Sequence, residues 1–306
     1  MKLAMIGLGR MGANMVRRLA RDNHQIVAYN RSEQVAIDLA KEDKNIQAVA
    51  TFKAVIDNLS APRVVWLMVP HEHVDTTIET IIEAGLEPGD LIIDGGNSNY
   101  KQSQRRELEL EARGYRFMDS GTSGGVWGLE NGYSLMVGGK KETVALVEPA
   151  LKSLAPSYDT GWGHVGPAGA GHYVKMVHNG IEYGMMQAFA EGFELMEDKP
   201  GMDLDMKQIS QIWQHGSVVR SWLLDLIADA MKQDVALSGL SDYVDDSGEG
   251  RWTIEASIEQ AIPAPVLSLA LQMRFRSRQE NTYSGKVLNA MRAGFGGHTI
   301  KPAENK

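Results

Sequence analysis

Residues Lys175 to Gly184 read Lys-Met-Val-His-Asn-Gly-Ile-Glu-Tyr-Gly, and four of them could act together on a small molecule. On a helix, Asn179, Glu182 and Tyr183 follow Lys175 at i+4, i+7 and i+8. At about 100° per residue these positions share one face. The face offers a base, an amide, an acid and a phenol, and a lysine and a glutamate two turns apart can serve the two ends of a substrate. Met176, Val177 and Ile181 fall largely away from it and are expected to pack. The competing reading is a surface lysine and glutamate beside a partly buried tyrosine.

Such side chains need a frame. Short apolar runs at 3–6, 26–29, 64–69, 91–94 and 117–119 alternate with helical patterns near 11–21, 33–41, 74–84 and 101–113. Alternation of this kind predicts an α/β, Rossmann-type, doubly wound parallel sheet with helices on both faces. A run at 134–138 and one helix near 142–154 extend that layer. The glycine-rich stretch 161–171, with Pro167, reads as a connection. A long helix is expected over 170–197, stopped by Lys199-Pro200-Gly201, with further helices at 206–215, 221–232, 253–261 and 266–278. The expected organisation is a dinucleotide-binding Rossmann domain over 1–163 and an all-α substrate and oligomerisation domain over 164–306. The tail after Ile300 is polar and expected to be mobile.

Gly7-Leu8-Gly9-Arg10-Met11-Gly12 follows the first strand and opens the first helix. Gly7 permits the tight turn, Gly9 lets a pyrophosphate approach the backbone, and Gly12 permits close helix–strand packing. The helix start then supplies amide donors and positive potential to phosphates. An NAD site usually carries an acid at the end of the second strand for the ribose hydroxyls. Here the residues are Asn30, Arg31 and Ser32. No acid repels a 2′-phosphate, Arg31 can pair with one, and Ser32 can donate to it. Ser32 could equally serve only to cap the next helix. NADP is therefore favoured, with NAD possible. Val69, at the end of the third apolar run, and Asn97, after the fourth, complete the expected cofactor contacts.

Composition narrows the partners. A net charge of −8 argues against nucleic acid or an anionic membrane. No apolar run reaches the roughly 18–20 residues of a membrane span. The first residues read as a strand rather than a signal peptide, so cytoplasm is the expected location. The chain has no cysteine, which excludes a thiolate nucleophile and disulfides. The histidines form no ligand cluster, and no metal is expected.

Four stretches resemble the decarboxylating 6-phosphogluconate dehydrogenases, within the wider β-hydroxyacid dehydrogenase superfamily. They are Gly7–Gly12 with Asn30-Arg31-Ser32; Asp94-Gly95-Gly96-Asn97-Ser98; Gly121-Thr122-Ser123-Gly124-Gly125-Val126-Trp127-Gly128; and Lys175–Gly184 preceded by Gly169-Ala170-Gly171-His172. The glycine loop, the Ser-Gly-Gly turn and the Lys-x-x-x-Asn pair are shared across the superfamily. Glu182-Tyr183 after His178-Asn179-Gly180-Ile181 is similar to the 6-phosphogluconate enzymes in particular.

The resemblance implies roles. Lys175 would be the general base at the substrate's carbon-3 hydroxyl, and later polarise the ketone as carbon dioxide leaves. Glu182 would protonate carbon 1 of the resulting enediol. Asn97, Ser123, Gly124 and Gly125 would position the sugar acid, and His178 and Asn179 its hydroxyls. Tyr183 and Arg274 would hold the phosphate. Arg292 and His298 resemble a terminal Arg-(x)5-His element that reaches a neighbouring subunit's site, which implies a homodimer or homotetramer. Two departures stand out. The duplicated helical region of the long family members is missing, so the chain resembles the short form. The segment 246–251 also lacks their substrate lysine, and Arg251 is the candidate to replace it. The alternatives are a dehydrogenase for a short unphosphorylated β-hydroxy acid such as 3-hydroxyisobutyrate, which would not require Arg274, Arg292, His298 and Glu182 together, and a dinucleotide-binding regulatory protein without turnover.

Overall fold

The elements of the first half follow one another as β1 (Lys2–Ile6), α1 (Arg10–Arg21), β2 (Gln25–Tyr29), α2 (Glu33–Ala40), β3 (Ile46–Ala48), α3 (Phe52–Asp57), β4 (Val64–Leu67), α4 (Val74–Glu83), β5 (Leu91–Asp94), α5 (Tyr100–Ala112), β6 (Arg116–Ser123), α6 (Gly128–Asn131), β7 (Ser134–Gly139), α7 (Lys141–Ala145), α8 (Glu148–Leu154), β8 (Trp162–Gly166) and α9 (Ala170–Glu197). The second half continues with α10 (Met206–Trp213), α11 (Trp222–Gln233), α12 (Gly248–Glu259), α13 (Pro265–Arg276) and α14 (Tyr283–Gly296). The computed structural model describes residues 1–296. His298 and the polar tail lie outside the described residues. Two compact units divide the chain, Met1–Gly180 and Ile181–Lys306, and α9 runs continuously through the division.

In the first unit the strands form one sheet in the order β3-β2-β1-β4-β5-β6-β7-β8. All pairings are parallel except β6 with β7. The doubly wound α/β arrangement is thus present, with one antiparallel step. Strand residues alternate between two cores. Leu3, Met5, Trp66 and Ile93 enter one, with α1 and α8, while Ala4, Ile6, Val65, Leu67 and Ile92 enter the other, with α3 and α4. Each large side chain buried this way contributes roughly 1.5–3 kcal/mol. In the second unit Phe193, Met206, Leu224 and Met231 form one small core, and Tyr183, Ala270 and Leu271 another.

The departures from the sequence reading have local causes. β3 has three residues, too few to show alternation. β8 lies inside the stretch read as a connection, because Gly163 and Gly166 dilute its apolar pattern. The helix expected over 142–154 is two helices, since Pro149 sits in the first turn of α8 and cannot extend a preceding helix. α12 begins at Gly248, ahead of the expected start at 253. Gly-Glu-Gly is poor helix-forming sequence, but the Ser247 N–H donates to the Tyr183 hydroxyl at 2.7 Å and fixes that end. α3 and α14 were hidden by shortness and by scattered glycines, respectively. Ile181 does not pack as expected and is 50% exposed. Among the described residues no helix is long and apolar enough to cross a membrane.

Candidate active site

The glycine turn is built as an open cradle. Gly7 has φ +94°, in the left-handed region, and a Cβ there would collide with the Met68 carbonyl oxygen. The conformation alone would cost another residue about 1–2 kcal/mol. A Cβ on Gly12 would overlap the Gly7 carbonyl and press on Met68 Cβ at 3.2 Å. Above Gly9, by contrast, nothing lies within 4 Å of the Cβ position. The first turn of α1 carries no acid, so the positive potential of the amides that a helix start leaves without an intrahelical partner is not offset there. The residues fit a dinucleotide pyrophosphate.

Leu8 is buried and its N–H donates to Asn30 Oδ1 at 3.0 Å, so this pair shapes the turn. Arg10 is exposed and Met11 half-buried. Arg31 and Ser32 are exposed at the end of β2. Ser32 occupies the N-cap position of α2, yet its side chain makes no capping bond, which leaves the hydroxyl available. Val69, half-buried, follows β4, and the exposed Asn97 follows β5, where the Gly96 N–H donates to Asp94 Oδ1 at 3.1 Å.

β6 is longer than the apolar run that announced it and carries Ser123 on its last position, opposite Ser134 of β7. Gly124 and Gly125 then take φ +134° and +52°. Lys175 is only 8% exposed. Its stem crosses β6 at Gly121, where a Cβ would collide with Lys175 Cβ. The Nζ donates to Asn179 Oδ1 at 2.7 Å, and His178 Nδ1 lies 3.0 Å from the same oxygen. His178 Nε2 is 3.5 Å from Ser123 Oγ. Lys175, His178, Asn179 and Ser123 are therefore brought together in the first unit as a chain of polar contacts. A buried amine bonded to an amide oxygen beside a hydroxyl and an imidazole can exchange a proton with a bound alcohol.

In the second unit Tyr183 is buried, and its hydroxyl accepts from the Ser247 N–H and lies 3.1 Å from Ser247 Oγ. The Arg274 guanidinium carbon stands 3.5 Å from the Tyr183 ring centroid, and Arg274 also donates to the Asp245 carbonyl at 2.7 Å. Arg251, the candidate to replace the missing lysine, already faces a carboxylate. Its guanidinium is committed to Asp246, Nε to Oδ2 at 2.6 Å, and Arg278 binds the other oxygen of the same carboxylate at 2.6 Å. The hydrogen bond from Arg251, followed by that from Arg278, holds the Asp246 carboxyl below the usual range. Arg274 has no carboxylate partner among the described residues. Glu182 is half-buried, and Arg292 is exposed on α14.

Sequence reasoning missed a second polar set beneath the lysine: Asp119, wholly buried, with His172 and Ser103. Nothing in a strand pattern distinguishes an aspartate that is buried from one at a strand end. The glycines around it, Gly138 and Gly171, were the available signal.

A parallel nucleotide sheet with an open glycine turn, leading into a helix with a buried lysine, defines a nicotinamide-dependent oxidoreductase. The family model described as the NAD binding domain of 6-phosphogluconate dehydrogenase matches residues 2–163, and that of the 6-phosphogluconate dehydrogenase C-terminal domain matches 171–284 and 198–306. The chain belongs to the 6-phosphogluconate dehydrogenase family. It is 41% identical, over 98% of its length and 99% of the relative's, to a Bacillus subtilis protein provisionally named as a 6-phosphogluconate dehydrogenase. It is 39% identical to the NAD(+)-dependent, decarboxylating 6-phosphogluconate dehydrogenase of Haloferax volcanii, over 98% of both chains. Among solved structures, Plasmodium falciparum 6-phosphogluconate dehydrogenase, studied with NADP+ and with 6-phosphogluconate, aligns at TM-score 0.82 and 30% identity, covering 100% of this chain and 67% of that one.

Proposed function

We propose that this protein oxidatively decarboxylates 6-phosphogluconate to ribulose 5-phosphate and carbon dioxide with a nicotinamide dinucleotide. The observation that carries the reading is the buried Lys175 bonded to Asn179 beside Ser123 and His178, in a chain related to decarboxylating enzymes over its full length. When bound, the nicotinamide supplies the acceptor for the hydride that leaves carbon 3. Gly9, Arg10 and Met11 at the start of α1 would hold its pyrophosphate, with Gly7, Leu8, Gly12 and Asn30 shaping the turn and Val69 and Asn97 alongside.

Lys175 takes the proton of the carbon-3 hydroxyl, passing its own hydrogen bond from Asn179 to the substrate. As an ammonium it then holds the ketone oxygen while the carbon–carbon bond to the carboxylate breaks and the electron pair moves toward that oxygen. Glu182 donates a proton to carbon 1. Ser123 with the Gly124 and Gly125 amides orients the carboxylate, and His178 and Asn179 the hydroxyls. Tyr183 and Arg274 receive the phosphate, since Arg274 stands over the Tyr183 ring and, unlike Arg251 and Arg278, has no carboxylate partner among the described residues. Replacing Arg274 by Ala should raise KM for 6-phosphogluconate about 10–100-fold while changing the poorer turnover of unphosphorylated gluconate less than about twofold. Equal losses with both substrates would remove Arg274 from the phosphate.

NADP is the favoured dinucleotide, supported by exposed Arg31 and uncommitted Ser32 at a strand end without an acid. Arg31→Ala should raise KM for NADP roughly tenfold and KM for NAD much less, as read from initial rates with each cofactor. The test of the reaction itself is reduced-nicotinamide absorbance on adding 6-phosphogluconate, with carbon dioxide trapped in parallel. Reduction without matching carbon dioxide would remove the decarboxylation, and no reduction would remove the substrate.

The same reading includes a homodimer or homotetramer. The second unit leaves large apolar side chains exposed on its helices, among them Leu195 at 75%, Ile258 at 74%, Val266 and Leu269. A second copy of the chain would cover side chains of this kind in an assembly.

A further inference from the structure

Asp119 is wholly buried on β6 and has no part in the chemistry above. Its two oxygens receive separate backbone donors from the beginning of α9. The Gly169 N–H reaches Oδ1 at 2.5 Å and the His172 N–H reaches Oδ2 at 2.7 Å. A helix start leaves such amides without an intrahelical partner, and a capping side chain just before the helix ordinarily serves them. Here that position is Gly169, which has none, and a carboxylate on a distant strand does the work. His172 ties the same turn to α5, with Nδ1 2.7 Å from Ser103 Oγ and 3.8 Å from Asp119 Oδ2. Packing leaves no slack. A Cβ on Gly138 would stand 2.5 Å from Asp119 Oδ1 and 2.7 Å from the Gly171 nitrogen, and one on Gly171 would stand 2.8 Å from Asp119 Oδ2. Burial pushes the Asp119 carboxyl above its ordinary range, and Asp94 pushes the same way, while His172 and the two N–H donors oppose them.

Strand geometry carries this anchor to the lysine. Asp119 and Gly121 are two residues apart on β6, so they point to one face about 6.8 Å from each other. The first turn of α9 sits over Asp119, and Lys175, one turn on, sits over Gly121 in direct contact. We infer that Asp119 is a positioning residue, which seats the first turn of α9 on β6 and thereby sets the reach of the Lys175 amine. The inference rests on the reading of Lys175 as the base.

Asp119→Asn tests it. The amide keeps the shape but must turn an NH2 toward one of the two N–H donors, losing that bond. Misplacement of a catalytic group by about 1 Å costs on the order of 100-fold. The expected result is a kcat about 10–100-fold lower, a cofactor KM within about twofold of wild type, and a larger isotope effect from substrate deuterated at carbon 3. Amide exchange over residues 169–175 should rise at least about tenfold with the rest of the sheet unchanged. An unchanged kcat overturns the inference, as does a loss that the cofactor KM and sheet-wide exchange share equally. If Asp119→Asn does not fold, Asp119→Ser replaces it, because the smaller side chain fits the same space uncharged and its one hydroxyl oxygen cannot serve both N–H donors as the carboxylate does. The same pattern supports the inference and its absence overturns it. Wild-type enzyme that does not turn over 6-phosphogluconate refutes the proposed reaction separately. Exchange at 169–175, which needs no turnover, then decides the anchor: faster exchange keeps it and unaltered exchange removes it.

Discussion

Lys175→Met is expected to lower kcat with 6-phosphogluconate by about 10³–10⁴-fold, the upper range for loss of a positioned acid–base group, and to leave cofactor affinity within about twofold. The substitution is chosen for what it keeps. The lysine stem lies against Gly121 with no room for even a Cβ there, and methionine preserves an unbranched stem of similar length. What disappears is the Nζ donor to Asn179 Oδ1, and His178 still reaches that oxygen at 3.0 Å. Asn179 thus keeps a polar partner, and collateral disorder should be small. The glycine turn and the end of β2 make their own bonds, Leu8 to Asn30 among them, so dinucleotide binding has no reason to change. Initial rates by reduced-nicotinamide absorbance, beside a fluorescence titration of the cofactor, separate the two quantities. A mutant keeping a tenth of the wild-type rate would exclude Lys175 as the base. A mutant that no longer bound the cofactor would show that the lysine supports the sheet instead.

Much of this arrangement was legible in the residues because it depends on short-range rules. The glycine turn, the strand–helix alternation and the full extent of α9 follow from conformational freedom, hydrophobic period and a proline–glycine stop. What was not legible depends on partners far along the chain. The early start of α12 exists because Tyr183 offers a hydroxyl to Ser247, more than sixty residues away, against the propensity of its own glycines. Arg251 read as a spare cation until Asp246 was found between it and Arg278. Asp119 read as the end of a strand, although the strand continues past it through Ser123 and its carboxylate faces the start of α9. The half-exposed Ile181 fails the packing expectation for a different reason, because helical period identifies an apolar face but does not say which molecule covers it.

Glu182→Gln should lower kcat by about 10²–10³-fold while KM for 6-phosphogluconate changes little. Glutamine keeps size and hydrogen-bonding capacity, and removes only the proton that a carboxyl group can give. Glu182 lies seven residues beyond Lys175 on a helix without a break, about 10.5 Å along its axis. The next residue, Tyr183, is held by the Ser247 N–H at its hydroxyl and by Arg274 across its ring. That grip fixes the rotation of this turn of α9, and with it the direction in which Glu182 projects. Because protonation at carbon 1 follows loss of carbon dioxide, the substitution should divide the reaction in time. In a single turnover, carbon dioxide should appear at close to the wild-type rate while ribulose 5-phosphate lags. In heavy water the wild-type product should carry deuterium at one face of carbon 1, and the variant product at both, since solvent then delivers the proton. Unchanged turnover, or retained facial selectivity with a slowed release of carbon dioxide, would place Glu182 outside the acid role and leave the proton to another group on the substrate's far side.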